Sequence, residues 1–163
     1  TAAAVGKVGE VRRDPMAMLP FCGYNMADYF THWLEMGRTA SNPPKIFHVN
    51  WFRKDEKGKF LWPGFGENLR VLEWILERCE GRGPARETPI GRVPDPEGLD
   101  LTGLDLPSAS LDKLLDVRKE DWEAELLGHE KFFKAFGKRL SPSLWKQFEA
   151  LKERLKSAEP VKV

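Results

Sequence analysis

Residues 45–68 read KIFHVNWFRKDEKGKFLWPGFGEN, and the interpretation of the chain turns on them. Phe47, Trp51, Phe52, Phe60, Trp62 and Phe65 are interleaved here with Arg53, Lys54, Lys57 and Lys59. The run 46–52 is β-branched and aromatic, with Asn50 as its one turn former, which predicts a strand. Its apolar residues fall on both faces, as in a central buried strand. Residues 54–59 are charged and carry Gly58, so they predict an exposed turn. Residues 60–62 then read as a short returning strand, ended by Pro63-Gly64.

Two readings of this aromatic density stand side by side. One is a hairpin with one face in a core. The other is a slot that stacks a planar base, where each base–aromatic contact is worth about 1–3 kcal/mol. Asn68 follows Phe65 by three residues at the start of a helix, and its amide both donates and accepts. A donor facing a carbonyl oxygen admits guanine and rejects adenine, whose amino group would leave that donor unpaired.

The flanks of this stretch are mostly helical. Met26, Phe30, Trp33 and Gly37 predict a helix over about 23–37, with Gly37 as its stop. Leu69, Leu72, Leu76 and Cys79 form one stripe of a helix over 66–78, flanked by Trp74 and Ile75, and this places Cys79 in a core. Residues 16–21, bounded by Pro15 and broken by Pro20, predict an extended connection. Residues 81–107 are rich in Pro and Gly, with ETPIGRV as the one strand-like piece. Leu111, Leu114 and Leu115 mark a short helix. Trp122, Leu126, His129, Phe133 and Phe136 mark an amphipathic one, opened by Glu120 and Asp121. After Ser141-Pro142, an N-cap and first-turn pair, Leu144, Phe148, Leu151 and Leu155 repeat the pattern. The expected fold class is α/β, a few strands followed by a helical tail.

Composition narrows the functional classes. Lys plus Arg is 26 and Asp plus Glu is 25, a net charge of +1 over 163 residues, so nothing points to nucleic acid or to an anionic membrane. No apolar run reaches bilayer length. The start, TAAAVGKVGE, has neither an initiator Met nor an apolar signal core and reads as an interior loop. Cys22 and Cys79 are the two cysteines, far apart and outside any CxxC pair, which argues against a disulfide framework or a zinc site and agrees with a cytoplasmic setting. His32 and His129 sit in helical patterns and His48 in the strand-like run. None has a second His at ligand spacing, so no metal site is expected from these residues. No G-x-x-x-x-G-K-[ST] loop occurs. Gly64-Phe65-Gly66 lacks the third glycine and the downstream acid of a dinucleotide fingerprint.

The stretches HVNWFRKD at 48–55 and GKFLWPGFGEN at 58–68, followed by RVLEW at 70–74, closely resemble the GTP-dependent phosphoenolpyruvate carboxykinases. TAAA at 1–4, DPMAM at 14–18, PFCGYN at 20–25 and TPIG at 88–91 extend the likeness through about Leu104. Beyond Pro107 it is one of style, helices in the right order. Cys22 and Leu19 depart from the aromatic and the arginine that many members carry there.

The resemblance implies the C-terminal part of a nucleotide-binding domain: a lid remnant and connection over 1–22, a guanine-binding part over 23–106 and C-terminal helices over 107–163. It implies that guanine is held by Phe52, Phe60 and Phe65, lined by Gly66 and Glu67 and read by Asn68, with Thr1, Ala2, Ala3 and Ala4 in the lid. It further implies oxaloacetate and GTP as substrates, with phosphoenolpyruvate, GDP and carbon dioxide as products. Mn2+, whose ligands lie upstream, and Mg2+ carried with GTP are the implied ions. The implied protein is a cytoplasmic monomer completed by an N-terminal part. The phosphate loop, metal ligands and substrate arginines of the family precede this region, so no catalytic residue is assigned here. The alternative is a non-catalytic module that binds guanine nucleotides or another partner.

Overall fold

Helices dominate the order of elements. In the computed structural model, which describes residues 13–158, α1 (Met26–Thr39) and α2 (Asn68–Cys79) precede a hairpin of β1 (Ala85–Thr88) and β2 (Gly91–Pro94). Three helices follow, α3 (Ser108–Leu115), α4 (Lys119–Lys134) and α5 (Pro142–Ser157). This is the mixed α/β pattern with few strands and a helical tail that the sequence predicts. The strands pair antiparallel, with Ala85 opposite Pro94 and Thr88 opposite Gly91. They occupy the strand-like ETPIGRV region. The predicted lid residues Thr1, Ala2, Ala3 and Ala4 lie outside the described residues.

The described chain gathers into two compact units, one of residues 13–43 and 119–157, the other centred on 44–118. In the first, Asn25 caps α1 by accepting from the Ala27 backbone N–H at 2.9 Å. Met26, Ala27 and Phe30 of α1 are buried with Phe136 and Leu140. Aromatic edges fill the space between helices: Phe30 meets Phe136 at 5.6 Å and 84°, and Phe133 of α4 meets Trp145 of α5 at 5.4 Å and 84°. Such edge-to-face pairs add to what burial alone contributes. The predicted stripes of α4 and α5 hold, with Leu126, Phe148 and Leu155 innermost, although α4 ends at Lys134 and Phe136 is buried in the turn beyond it. Gly37 does not stop α1, which runs to Thr39. Residues 16–21 are two 3-10 turns rather than an extended connection. Buried Asp14 ties the two turns by accepting from the Leu19 backbone N–H at 2.7 Å.

In the second unit Trp74 is the centre, buried with Leu99, Leu111 and Leu115. Its indole N–H donates to the Pro84 carbonyl at 2.8 Å, which joins α2 to the start of the hairpin. Two guanidinium groups close the C-terminal end of α3. Arg53 donates to the carbonyls of Leu114 and Asp116, and Arg86 to that of Leu115. A cation belongs at this end, where the last carbonyls lack helical partners.

The sequence expectations for 46–52 and for the buried face of α2 fail in this unit. Residues 46–52 form no strand, Ile46 is 80% exposed and His48 is exposed. Local anchors shape the run instead. Lys45 donates to the carbonyls of Arg78 and Cys79 at the end of α2, Phe47 packs its ring against Trp74, and Asn50 accepts from the Phe52 backbone N–H. The stripe Leu69, Leu72 and Leu76 with Cys79 is exposed, not buried, because α2 turns Trp74 and Ile75 to the core. His32 is exposed on α1, whereas His129 is half-buried on α4.

Candidate nucleotide-base site

Asp55 builds the turn that brings the first two predicted phenylalanines together. Its carboxylate accepts from the backbone N–H groups of Lys57 and Lys59 at 2.9 and 2.8 Å. Gly58 supplies the positive φ of 78° that the turn needs. The returning segment makes one isolated bridge, Lys54 with Phe60, in place of the predicted second strand at 60–62. Phe52 and Phe60 then meet with ring centroids 6.0 Å apart at 60°, and the Lys54 ammonium lies 5.0 Å from the centre of the Phe60 ring. Lys113 fastens the tip of the turn to α3 through Glu56 at 2.9 Å, and that hydrogen bond holds the Glu56 carboxyl below its ordinary pKa.

Gly64, at φ 124° and ψ −165°, turns the chain through a conformation open essentially to glycine alone. A single 3-10 turn, Phe65–Glu67, follows and leads into α2. Phe65 is 93% exposed at this corner. The turn is held from behind. Arg70 pairs with the Glu67 carboxylate at 2.6 Å and donates to the carbonyls of Asp100 and Thr102. Asn68, the first residue of α2, accepts on Oδ1 from the indole N–H of Trp62 at 2.9 Å.

These pieces enclose an open cleft of about 580 Å3 whose walls include Trp51, Phe52, Phe60, Trp62, Phe65 and Asn68. Four of the six residues expected at the site therefore converge. Gly66 and Glu67 lie in the turn between Phe65 and Asn68 but do not line the cleft, and the Glu67 side chain is turned to Arg70. The sequence reading missed the tethering role of Arg70 and the bond from Trp62 to Asn68. A Trp six residues before an Asn carries no spacing signal, because the contact depends on the kink at Gly64. Among the described residues no three His, Cys, Asp or Glu side chains gather in a group that could hold a metal ion. No helix among them is long and apolar enough to cross a membrane.

Three exposed phenylalanine rings around a concavity of this size can stack a planar ring, and an amide at its edge can recognise one polar group. The arrangement is chemically suited to a flat heteroaromatic group. The family is fixed by comparison with known proteins. The family model described as phosphoenolpyruvate carboxykinase C-terminal P-loop domain matches residues 1–154, and the chain belongs to that family. A protein of Anaeromyxobacter dehalogenans (strain 2CP-1 / ATCC BAA-258) named phosphoenolpyruvate carboxykinase [GTP] is 52% identical over 162 residues, 99% of this chain and 27% of its own length. One of the same name from Arthrobacter sp. (strain FB24) is 52% identical over 158 residues, 95% of this chain and 26% of its own length. The chain thus spans about a quarter of the length of these relatives. The likeness runs through the C-terminal helices, well past the Leu104 limit expected from the motifs.

Proposed function

We propose that this chain supplies the guanine-binding cleft of a GTP-dependent phosphoenolpyruvate carboxykinase. The observation that carries the proposal is the exposure of Phe52, Phe60 and Phe65, at 70%, 50% and 93%, around one cleft. Leaving a Phe in water forgoes about 1.5–3 kcal/mol relative to burying it. A base entering the cleft recovers part of that through stacking. Phe52, Phe60 and Phe65 hold the ring, and Asn68 reads its edge. Gly66 and Glu67 shape the turn from which Phe65 and Asn68 project. Residues 1–22 then belong to the lid and its connection, with Thr1, Ala2, Ala3 and Ala4 in the lid, 23–106 to the base-binding part and 107–163 to the C-terminal helices.

The reaction of the whole protein is conversion of oxaloacetate and GTP to phosphoenolpyruvate, GDP and carbon dioxide. The bond to the departing carboxylate breaks, its electron pair forms an enolate, and the enolate oxygen takes the terminal phosphoryl group of GTP. The described residues hold and orient the nucleotide at its base. Mn2+ and Mg2+, the phosphate loop and the oxaloacetate site belong to the remaining part of the protein, its obligate partner. A cytoplasmic monomer is the form this reading expects.

Assaying GTP-dependent oxaloacetate decarboxylation with manganese tests the proposal. The full-length protein is expected to be active and the isolated 163-residue chain inactive. A full-length protein that binds GTP without decarboxylating oxaloacetate would favour the non-catalytic reading.

A further inference from the structure

We infer that Trp62 is a specificity-determining positioning residue, because its indole N–H fixes which end of the Asn68 amide faces the base. The inference rests on the guanine-cleft reading and adds to it the origin of the choice between 6-oxo and 6-amino purines.

An asparagine amide is ambidextrous. Rotating it by half a turn exchanges its carbonyl for its NH2 at almost no steric cost. A free Asn at a base edge therefore serves guanine, whose O6 accepts, and adenine, whose N6 donates, nearly equally. At Asn68 the exchange is blocked. Trp62 is 6% exposed, its indole nitrogen is only ever a donor, and it lies 2.9 Å from Asn68 Oδ1. Flipping the amide would set NH2 against N–H and leave a largely buried donor without an acceptor. The carbonyl is thus held on Trp62, and the two N–H donors of Nδ2 remain for a ligand. Asn68 and Trp62 both line the cleft, so that donor is offered where a base edge would lie. It matches O6 of guanine or hypoxanthine and opposes the amino group of adenine. Arg70 keeps the turn before Asn68 in place through Glu67, so rotation of the amide is the freedom that Trp62 removes.

The test is the ratio of kcat/KM for GTP to that for ATP, with ITP alongside, in the full-length protein. Trp62→Phe keeps a ring and removes the donor. Benzothienylalanine at position 62 keeps the indole outline with sulfur in place of N–H, and it decides the matter should Trp62→Phe fold poorly. Both variants are expected to lower the GTP-to-ATP ratio by about tenfold or more, chiefly through the two KM values, with kcat for GTP nearly unchanged and ITP following GTP. Asn68→Ala is measured in parallel and should also erode the ratio. A ratio held by the benzothienyl variant but lost in Asn68→Ala would overturn the role of Trp62 and leave the cleft reading standing. A ratio unchanged in Asn68→Ala would overturn the reading of the base edge by Asn68, and this inference with it, while the stacking role of the phenylalanines would still be judged by Phe65→Ala. Equal losses toward both nucleotides in the Trp62 variants would reduce Trp62 to packing and reject the inference.

Discussion

Phe52 and Phe60 face each other across a tight turn, ring centroids 6.0 Å apart, with the carboxylate of Asp55 accepting two backbone hydrogen bonds at its tip. Both rings are exposed and the returning segment makes a single bridge, so beside the Lys113–Glu56 ion pair it is the turn that holds this aromatic pair together. The turn therefore sets the spacing of two walls of the cleft.

Asp55→Ala should loosen that spacing. It removes the acceptor for the Lys57 and Lys59 amides, a loss of roughly 0.5–1.5 kcal/mol per hydrogen bond in an exposed turn. The KM for GTP in the full-length protein is expected to rise severalfold, with kcat nearly kept. Asp55→Asn, which retains the acceptor oxygen, should restore most of the affinity. If Ala and Asn behave alike, the turn is not what positions the rings.

Phe65→Ala separates binding from folding. A side chain 93% exposed contributes little to the folded core, so the thermal midpoint should hardly move. Loss of one stacking partner should weaken GTP by about 1–3 kcal/mol and leave manganese affinity alone. Measuring both on one preparation is decisive: a lowered midpoint with unchanged GTP affinity would make Phe65 a packing residue.

The helices were legible because their apolar spacing survives whatever they pack against. Trp122, Leu126, His129 and Phe133 read as one face and form one on α4, with Phe136 buried in the turn just past its end. The direction of α2 was not legible. Leu69, Leu72 and Leu76 make the more regular stripe, but the single large indole of Trp74, hydrogen-bonded to Pro84, takes the core position and turns those leucines outward. Residues 46–52 have the composition of a strand, yet a strand needs a neighbour. Lys45 on the end of α2 and Phe47 on Trp74 fix the run without one. At the site the aromatic residues and Asn68 were visible as types. Orientation was not, since it depends on Gly64 bending the chain so that Trp62 reaches Asn68.

Gly98→Ala probes the same Trp74 anchor. A Cβ at position 98 would lie 2.9 Å from the Pro84 carbonyl oxygen and 3.4 Å from Trp74 Nε1, against the hydrogen bond those two atoms form. Backbone on one side and a buried ring on the other leave little to give, so a loss of about 1–3 kcal/mol is expected. Gly37→Ala is the opposing control. Its Cβ would meet nothing within 4 Å on α1, and helix propensity there should raise stability by up to about 1 kcal/mol. Urea unfolding of the two variants should move in opposite directions; equal effects would remove the packing argument.

His129 gives the first unit a pH dependence of known sign. Burial on α4 holds its imidazole below the ordinary pKa of 6.5, the Arg13 guanidinium pushes the same way, and the Glu125 carboxylate opposes both. The folded chain therefore binds this proton less readily than the unfolded chain does. Protonating the unfolded state drains stability as pH falls through about 6.5, and the loss levels off below the depressed folded value. Stability from this group is fully present above the unfolded pKa. The thermal midpoint should accordingly fall as pH is lowered from about 7.5 to about 5.5, above the range where carboxylates titrate. His129→Gln, which stays neutral, should flatten that slope. Identical slopes for the two proteins would place the pH dependence elsewhere and show that His129 is solvated like a surface imidazole.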